Sequence, residues 1–174
     1  MIEQLTHKET SFQQTEFPII LLLDNITGEA NLGSLFRLAD AFGIQKIIFC
    51  GTKPNLSSNR LKRTARNTFN TVDSEYHEDT ISAIKYLKEL GYNPVALEIT
   101  SNSKPIQEIS IEKEQNIVLI AGNERHGVSE NALKLCDACF HIEMFGNNSS
   151  MNVAQSVGIA LYEITKALNK FAKK

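Results

Sequence analysis

The sequence contains no apolar run long enough to cross a membrane. The longest such run, Phe17 to Leu23, is far shorter than the roughly 20 residues that a membrane-spanning helix needs. Residues 1–15 before it are mostly polar and contain no apolar segment of the kind found in signal peptides. We therefore expect a soluble protein that stays in the cytoplasm and has no membrane partner.

Cysteine and histidine are too sparse for a recognisable metal site. There are three cysteines, and Cys136 and Cys139 form a C-x-x-C pair. A redox or zinc site would need a thioredoxin-like context or a second pair of ligands, and neither is present. The histidines are scattered along the chain, at His7, His77, His126 and His141. We expect no metal, and we interpret the two cysteines as half-buried thiols between a helix end and a strand.

The overall charge gives no sign of a nucleic-acid partner, because the formal net charge is −2. The local charge differs. One stretch without an acidic residue, the basic segment, contains Arg60, Lys62, Arg63 and Arg66. A second basic group at the C-terminus contains Lys166, Lys170, Lys173 and Lys174. Either group could contact RNA phosphates, and the alternative for each is an ordinary solvated helix face.

The length of 174 residues suits one domain, which we place at 17–174 after an N-terminal arm at 1–16. Apolar runs predict strands at 19–23, 46–50, 71–76, 94–99, 116–121 and 140–144. Helical periodicity predicts helices at 32–42, 80–90, 129–135 and 152–171, with Asn31 as the N-cap of the first and Gly43 as its stop. Residues 56–66 are predicted to form a short basic helix or a loop. This alternation predicts an α/β fold with a largely parallel sheet flanked by helices.

Three loops rich in Gly, Asn and Ser follow predicted strands, at 24–33, 122–127 and 145–152. Each leads into a predicted helix. In an open parallel sheet, ligands bind beyond the carboxyl ends of the strands, so three such loops at one edge indicate a ligand site. None of them matches the G-x-G-x-x-G or Walker patterns, which disfavours a standard dehydrogenase or nucleotide triphosphatase.

The same loops carry a family resemblance. Residues 31–37 resemble the motif N-x-G-x-x-x-R, and residues 122–127 resemble G-x-E-x-x-G. Residues 142–153 resemble I-P-M followed by S-L-N-V, except that Glu143 replaces the usual Pro and Met151 the usual Leu. In this order and spacing, over about residues 17–168, the motifs resemble the SpoU (TrmH-type) branch of the SPOUT RNA 2′-O-ribose methyltransferases.

The resemblance implies properties that the residue patterns alone do not reach. It implies a C-terminal deep trefoil knot, a homodimer whose active site draws on both subunits, and S-adenosylmethionine as cofactor. The cofactor is expected to lie against the loops at Leu97, Gly122, Ile142 and Met151. The substrate is expected to be a ribose 2′-hydroxyl of structured RNA, either tRNA or rRNA, and the basic segment is expected to bind that RNA.

The resemblance also implies catalytic roles. Arg37 is expected nearest the reacting hydroxyl, where it would stabilise developing negative charge or hold a phosphate rather than act as a base. The residues expected to orient it and line the site are Asn31, Glu124, Ser150 and Asn152. Without the motifs, Asn31 and Ser150 would be interpreted as helix caps, and Arg37 as a surface residue.

Two other functions stay open at this point. A non-catalytic RNA-binding module on the same fold would lose Arg37 or the pair Ser150 and Asn152, and this sequence keeps all three. A small-molecule methyltransferase is disfavoured only mildly, by the basic segment. Larger family members carry an extra N-terminal RNA-binding domain. Residues 1–16 are too few for one, so RNA recognition is expected from the catalytic domain and its terminal arms.

Overall fold

The computed structural model describes residues 2–6, 9–10 and 12–172. His7, Lys173 and Lys174 of the sequence predictions lie outside these ranges. The described strands are β1 (Phe17–Asp24), β2 (Ile44–Cys50), β3 (Asp73–His77), β4 (Tyr92–Leu97), β5 (Lys104–Pro105), β6 (Asn116–Gly122) and β7 (Ala138–His141). The helices are α1 (Glu29–Ala41), α2 (Asn59–Ala65), α3 (Thr80–Glu89), α4 (Glu130–Leu133) and α5 (Val153–Ala172), with 3₁₀ turns at Arg66–Asn70 and Ile106–Glu108.

The strands form one seven-stranded sheet in the order β3-β2-β1-β6-β4-β7-β5. Its ladders are parallel, which confirms the predicted α/β class. Helices cover both faces, so the central strands are buried on both sides and read as continuous apolar runs. No helix within the described residues is long and apolar enough to cross a membrane.

Alternate residues of β1 belong to two separate cores. Ile19, Leu21 and Leu23 pack with α1 and α5 on one face of the sheet. Ile20 and Leu22 pack with α3 on the other face. The spacing of three and four residues along α5 predicts an apolar stripe, and its members Val157, Leu161, Ile164 and Leu168 are buried, which explains why this helix docks along the sheet instead of extending into solvent.

The register of the central strands places their carboxyl ends side by side. Asp24 at the end of β1 lies opposite Gly122 at the end of β6. In the next pair, Leu97 of β4 lies opposite Ala121, and Leu97 also lies opposite Phe140 of β7. The loops that follow β1, β4, β6 and β7 therefore leave the sheet at one edge.

Gly33 in the first motif has a packing role. A Cβ atom built on it would lie 2.6 Å from the carbonyl oxygen of Leu61 and 2.7 Å from Cβ of Thr64, both on α2. Neither contact is tolerable, since both atoms belong to a closely packed helix. The glycine therefore lets α2 approach α1 closely, which attaches the basic segment to the first-motif helix.

The structure corrects three details of the predicted elements. Helix α1 begins at Glu29 with Gly28 as its N-cap, so the prediction of Asn31 as N-cap is wrong. Strand β7 ends at His141 and not at residue 144, because residues 142–144 leave the sheet and line a cavity. The two-residue β5 was not predicted. The predicted stop of α1 at Gly43 is confirmed, and this residue adopts φ +57°.

Candidate active site

A cavity of about 400 Å³ lies at the carboxyl edge of the sheet, within the size range of small-molecule sites. Its walls come from the end of β4 at 97–99, the β6 loop at 121–127, and the segment between β7 and α5 at 141–144 and 149–153. Asn31 of α1 and Ser156 of α5 complete the lining. Two of the three wall segments, and Asn31, belong to the loops that the sequence identified.

One chain of side-chain hydrogen bonds connects the three motifs. Nδ2 of Asn152 donates to Oδ1 of Asn31 over 2.9 Å, and Nδ2 of Asn31 donates to Oε1 of Glu124 over 3.0 Å. Oδ1 of Asn152 caps α5, because it accepts from the backbone N–H of Ala154 at 3.0 Å and of Gln155 at 3.3 Å. This Asn152–Asn31–Glu124 network ties the start of α5 to the start of α1 and to the β6 loop.

The carboxylate of Glu124 ends the network on the backbone before α1. It accepts from the N–H of Gly28 at 3.0 Å and of Thr27 at 3.5 Å. Burial opposes ionisation of Glu124, but these donors and the amide of Asn31 outweigh it and lower the pKa of its carboxyl. Glu124 is therefore held as an anion. Gly28 lies close against it, since a Cβ built on Gly28 would lie 2.5 Å from Oε1 of Glu124.

The β6 loop is a tight turn with little freedom. Asn123 and Gly127 exchange two backbone hydrogen bonds, and Oδ1 of Asn123 accepts from the backbone of Arg125 and His126. The amide of Asn123 also donates to the carbonyl of Asn25 over 2.7 Å. A Cβ on Gly122 would collide with the backbone of this turn. The second motif therefore needs glycine at its first position for the turn to close over the strand end.

Sequence reasoning missed Glu98, which follows β4 and lines the cavity. Its Oε2 accepts from the backbone N–H of Val128 at 2.9 Å, and its Oε1 accepts from that of Ile99 at 2.9 Å. It thereby joins the β4 end to the far end of the β6 turn. The available signal was a carboxylate inside the strand predicted at 94–99, which the structure ends at Leu97; Glu98 lies outside the three loops that the sequence identified.

Asp24 was also missed, although it ends the most apolar strand in the sequence. It is 2% exposed, and its carboxylate accepts from Thr80 Oγ1 at 2.7 Å and from the backbone N–H of Ser129 at 2.9 Å. A buried carboxylate needs such donors to offset its lost hydration. Asp24 therefore ties the starts of α3 and α4 to the end of β1, which is a supporting role in the fold.

The predicted site residues separate into two groups. Asn31, Glu124, Ser150 and Asn152 line the cavity, as do the predicted cofactor residues Leu97, Gly122, Ile142 and Met151. Ser150 is not part of the hydrogen-bond network, because its hydroxyl and its backbone N–H both donate to Oδ1 of Asn148. Arg37 is exposed on α1 and does not line this cavity. The structure of one chain thus does not bring Arg37 to the other predicted residues.

The basic segment lies on α2 and the turn after it. Arg60, Lys62, Arg63 and Arg66 are all exposed, and none forms an ion pair with another described residue. In contrast, Lys166 of the C-terminal group pairs with Glu163 at 3.1 Å. The basic segment therefore presents free positive charge, next to α1 and clear of the cavity wall.

The C-x-x-C cysteines lie where the sequence placed them, half-buried on either side of the start of β7. Burial raises the pKa of Cys136 to about 12, and burial also raises the pKa of Cys139. Both thiols therefore stay protonated near neutral pH. Within the described part of the chain, no cluster of three or more His, Cys, Asp or Glu side chains is arranged to hold a metal ion.

Comparison with known proteins gives the same assignment as the motifs. The family model of the SpoU rRNA Methylase family matches residues 18–162, which is most of the chain. A tRNA (guanosine(18)-2′-O)-methyltransferase from Thermus thermophilus is 28% identical over 145 residues, which span 83% of this chain and 73% of the relative.

Solved structures share the fold. The TrmH/SpoU tRNA modifying enzyme of A. aeolicus superposes with a TM-score of 0.82 at 25% identity, covering 91% of this chain and 79% of that one. An AdoMet-bound rRNA methyltransferase from Sinorhizobium meliloti superposes with a TM-score of 0.81 at 26% identity, covering 90% of this chain and 59% of that one. The second structure contains S-adenosylmethionine.

Replacing Glu124 with Gln should destabilise the protein in a pH-dependent way. The pKa of Glu124 is lowered on folding, so its ionised form stabilises the protein above the ordinary pKa of 4.5, and this stabilisation is lost as the pH falls through the lower folded-state value. After a discount for solvent screening, we expect the free energy of unfolding to fall by about 1 kcal/mol at pH 7, which corresponds to about 2–4 °C in Tm.

Calorimetric melting from pH 7 down to pH 3 measures this difference. The gap between wild type and Glu124→Gln should close below pH 4.5. Glu108→Gln is the control, because Glu108 is exposed and shares no hydrogen bond with another described side chain. A gap that stays constant over the whole range would show that the charge of Glu124 is not what stabilises the site.

Proposed function

The chain belongs to the SpoU rRNA methylase family, and on that premise we propose that it transfers a methyl group from S-adenosylmethionine to a ribose 2′-hydroxyl of RNA. The strongest support is the Asn152–Asn31–Glu124 network, because it joins all three family motifs at the wall of one cavity. The relatives named above are methyltransferases of tRNA and of rRNA. We propose RNA of one of these two kinds as the substrate.

The cavity fits S-adenosylmethionine in size and chemistry. It has about 400 Å³ of space, and Leu97, Gly122, Ile142 and Met151 would hold the cofactor with backbone groups and apolar surface. Two carboxylates, Glu98 and Glu124, contribute to the lining, which suits a ligand that carries positive charge. When bound, the cofactor supplies a methyl group already activated by its positively charged sulfur.

The protein must do the remaining work on the acceptor. A ribose hydroxyl is a weak acid and a poor nucleophile, so it needs exact placement and a route for its proton. Ser150 and Asn152, at the exposed side of the cavity, would position the ribose. Arg37 would stabilise the negative charge that develops on the oxygen, since a guanidinium hardly ever gives up its own proton.

The position of Arg37 supports a role in the cavity of a second copy of the chain. Arg37 is exposed and lies outside the cavity lining of its own chain, and it forms no side-chain hydrogen bond or ion pair with another described residue. We propose a homodimer in which Arg37 of one subunit serves the cavity of the other. The proposal is consistent with the active site shared between subunits that the family resemblance implies.

Two further family properties belong to this proposal. The cavity-lining segments at 122–127 and 142–153 precede α4 and α5, and we propose that they form the deep trefoil knot of the family. Glu143 stands where the family has Pro, and its Oε2 accepts a hydrogen bond from Nε2 of Gln107 over 2.5 Å. This hydrogen bond would restrain the segment in place of the proline ring. The cytoplasmic location stays a prediction.

The basic segment is the proposed contact for the RNA backbone. It is exposed and free of acidic partners, and α2 packs on α1 at Gly33, close in sequence to Asn31 of the cavity. Phosphate contacts of this kind position an RNA without reading its sequence. The segment would therefore set how the RNA lies across the protein.

Methyl transfer is tested directly by incubating the protein with labelled S-adenosylmethionine and either unfractionated tRNA or ribosomal RNA. Digestion to nucleosides should show the label on ribose 2′-oxygens of one of the two RNAs. RNA binding without transfer would indicate the non-catalytic module instead. Label on bases, or on no RNA at all while small molecules are methylated, would contradict the proposed function.

The proposed role of Arg37 is tested by subunit complementation. Arg37→Ala should bind the cofactor normally but lose about a hundredfold or more in single-turnover rate, and Arg37→Lys should not restore it, because a point charge cannot replace a planar fork. Met151→Arg should instead block the cofactor by repulsion. Each homodimer should be nearly inactive.

Mixed dimers of these two variants, isolated by co-expression with two affinity tags, should each retain one intact site. They should show about half of the wild-type activity, since one of two symmetric sites is complete. Mixed dimers as inactive as the parents would place Arg37 in its own chain's site, and a fully active Arg37→Ala homodimer would remove it from the mechanism.

The basic segment is tested by replacing its four cations with Ala. RNA affinity should fall, and the slope of log affinity against log salt should become shallower by up to about 3, as expected for four lost phosphate contacts. Cofactor affinity should stay the same. The control replaces four other exposed lysines, Lys85, Lys104, Lys113 and Lys134, which removes equal charge elsewhere. Equal losses in both variants would mean that only net charge matters.

A further inference from the structure

Phe145 is a large apolar side chain in an unusual place. It is 93% exposed and belongs to neither hydrophobic core. The residue before it, Met144, lines the cavity, and so do Ser149 and Ser150 after it. Phe145 therefore lies on the short stretch of chain that spans two parts of the cavity wall, and it adds nothing visible to the packing of the fold.

The cavity opening beside it combines apolar surface with a free cation. We call three of its exposed lining residues, Ile99, Arg125 and Met151, the rim; Ile99 is 55% and Met151 38% exposed. Arg125 is exposed too, and its guanidinium forms no hydrogen bond or ion pair with another described residue. Only its backbone N–H is engaged, donating to Oδ1 of Asn123.

An exposed aromatic ring on the segment that borders this cavity, together with an arginine in the cavity lining that has no side-chain partner among the described residues, is suited to single-stranded nucleic acid. Base stacking on aromatic side chains and charge contacts to phosphates are the two main terms in such binding. An acceptor nucleotide has to come to this opening if its ribose is to reach the cavity. A stacking platform at the opening would hold that nucleotide or its neighbour out of the RNA helix.

We propose that Phe145 stacks on an RNA base at the cavity opening and that Arg125 contacts a phosphate there. This role rests on the proposed function. The other occupant to consider is a second copy of the chain. The segment around Phe145 is Gly146, Asn147, Asn148 and Ser149, all exposed; such polar surface suits a wet RNA contact better than the apolar centre of a subunit interface.

The absence of tryptophan from the sequence provides a clean optical test. Phe145→Trp introduces a single tryptophan, which keeps the ability to stack and whose emission can be excited separately from that of the four tyrosines. Adding unfractionated tRNA or ribosomal RNA should quench its emission in a saturable way. The control is Tyr86→Trp on α3, which is 52% exposed and packs on the opposite face of the sheet from α1 and α5. Its emission should barely change.

Binding and turnover complete the test. Phe145→Ala should lower RNA affinity by about tenfold or more, as for the loss of one stacked base, and raise KM for RNA more than it lowers kcat. Phe145→Trp should behave as wild type, and Phe145→Leu should resemble the Ala variant because it cannot stack. Cofactor affinity and the mass measured by light scattering should be unchanged in all three variants.

The outcomes separate this inference from the function beneath it. The stacking role alone is overturned if the wild-type protein methylates RNA but the Phe145→Ala variant has normal RNA affinity. It is also overturned if the wild-type protein methylates RNA but the Phe145→Trp signal is no larger than that of the control. A change of mass in Phe145→Ala assigns the residue to a contact between copies and also overturns it. Wild-type protein that neither binds nor methylates either RNA overturns both.

Discussion

The amide of Asn31 is the interaction on which the site depends. It accepts from Asn152 and donates to Glu124, so one side chain holds together three segments that are far apart in the sequence. An amide is suited to this position because it offers a donor and an acceptor in one plane. A carboxylate could not donate to Glu124, and an apolar residue would leave both neighbours without a partner. The network also fixes two helix starts, because Asn152 caps α5 and Glu124 binds the backbone before α1.

The parallel sheet brings these segments within reach of each other. The matched register of β1, β6 and β4 ends all three strands at one edge, where two small residues, Gly28 and Gly122, leave no space for a side chain. Asp24, at the end of β1, is buried and hydrogen-bonded to the starts of α3 and α4, so it ties the end of the central strand to two of the helices around it.

Much of the fold could be predicted from the sequence, because buried parallel strands and amphipathic helices have strong local patterns. The core of β1 and of β6, the stripe of α5 and the stop at Gly43 are examples. The details that failed depend on tertiary contacts. Asn31 is of a residue type that often caps helices, but here it lies within α1, and its side chain hydrogen-bonds to Glu124 and Asn152. Glu98 is held at the cavity wall by a hydrogen bond from the backbone N–H of Val128, thirty residues away in the sequence. The distance of Arg37 from the cavity follows from the helix geometry of α1 and could not be read from a motif.

The cavity, the exposed Arg37 outside its lining and the exposed rim together suit the proposed reaction, which needs a cofactor and an RNA to meet at one point. The most direct measurement of the central claim is a map of ribose 2′-O-methylation in tRNA and rRNA from cells with and without this gene. We predict that one or a few positions lose the modification, that the wild-type gene restores it, and that a gene encoding Arg37→Ala does not. Identical maps in the two strains, or restoration by the Arg37→Ala gene, would contradict the account.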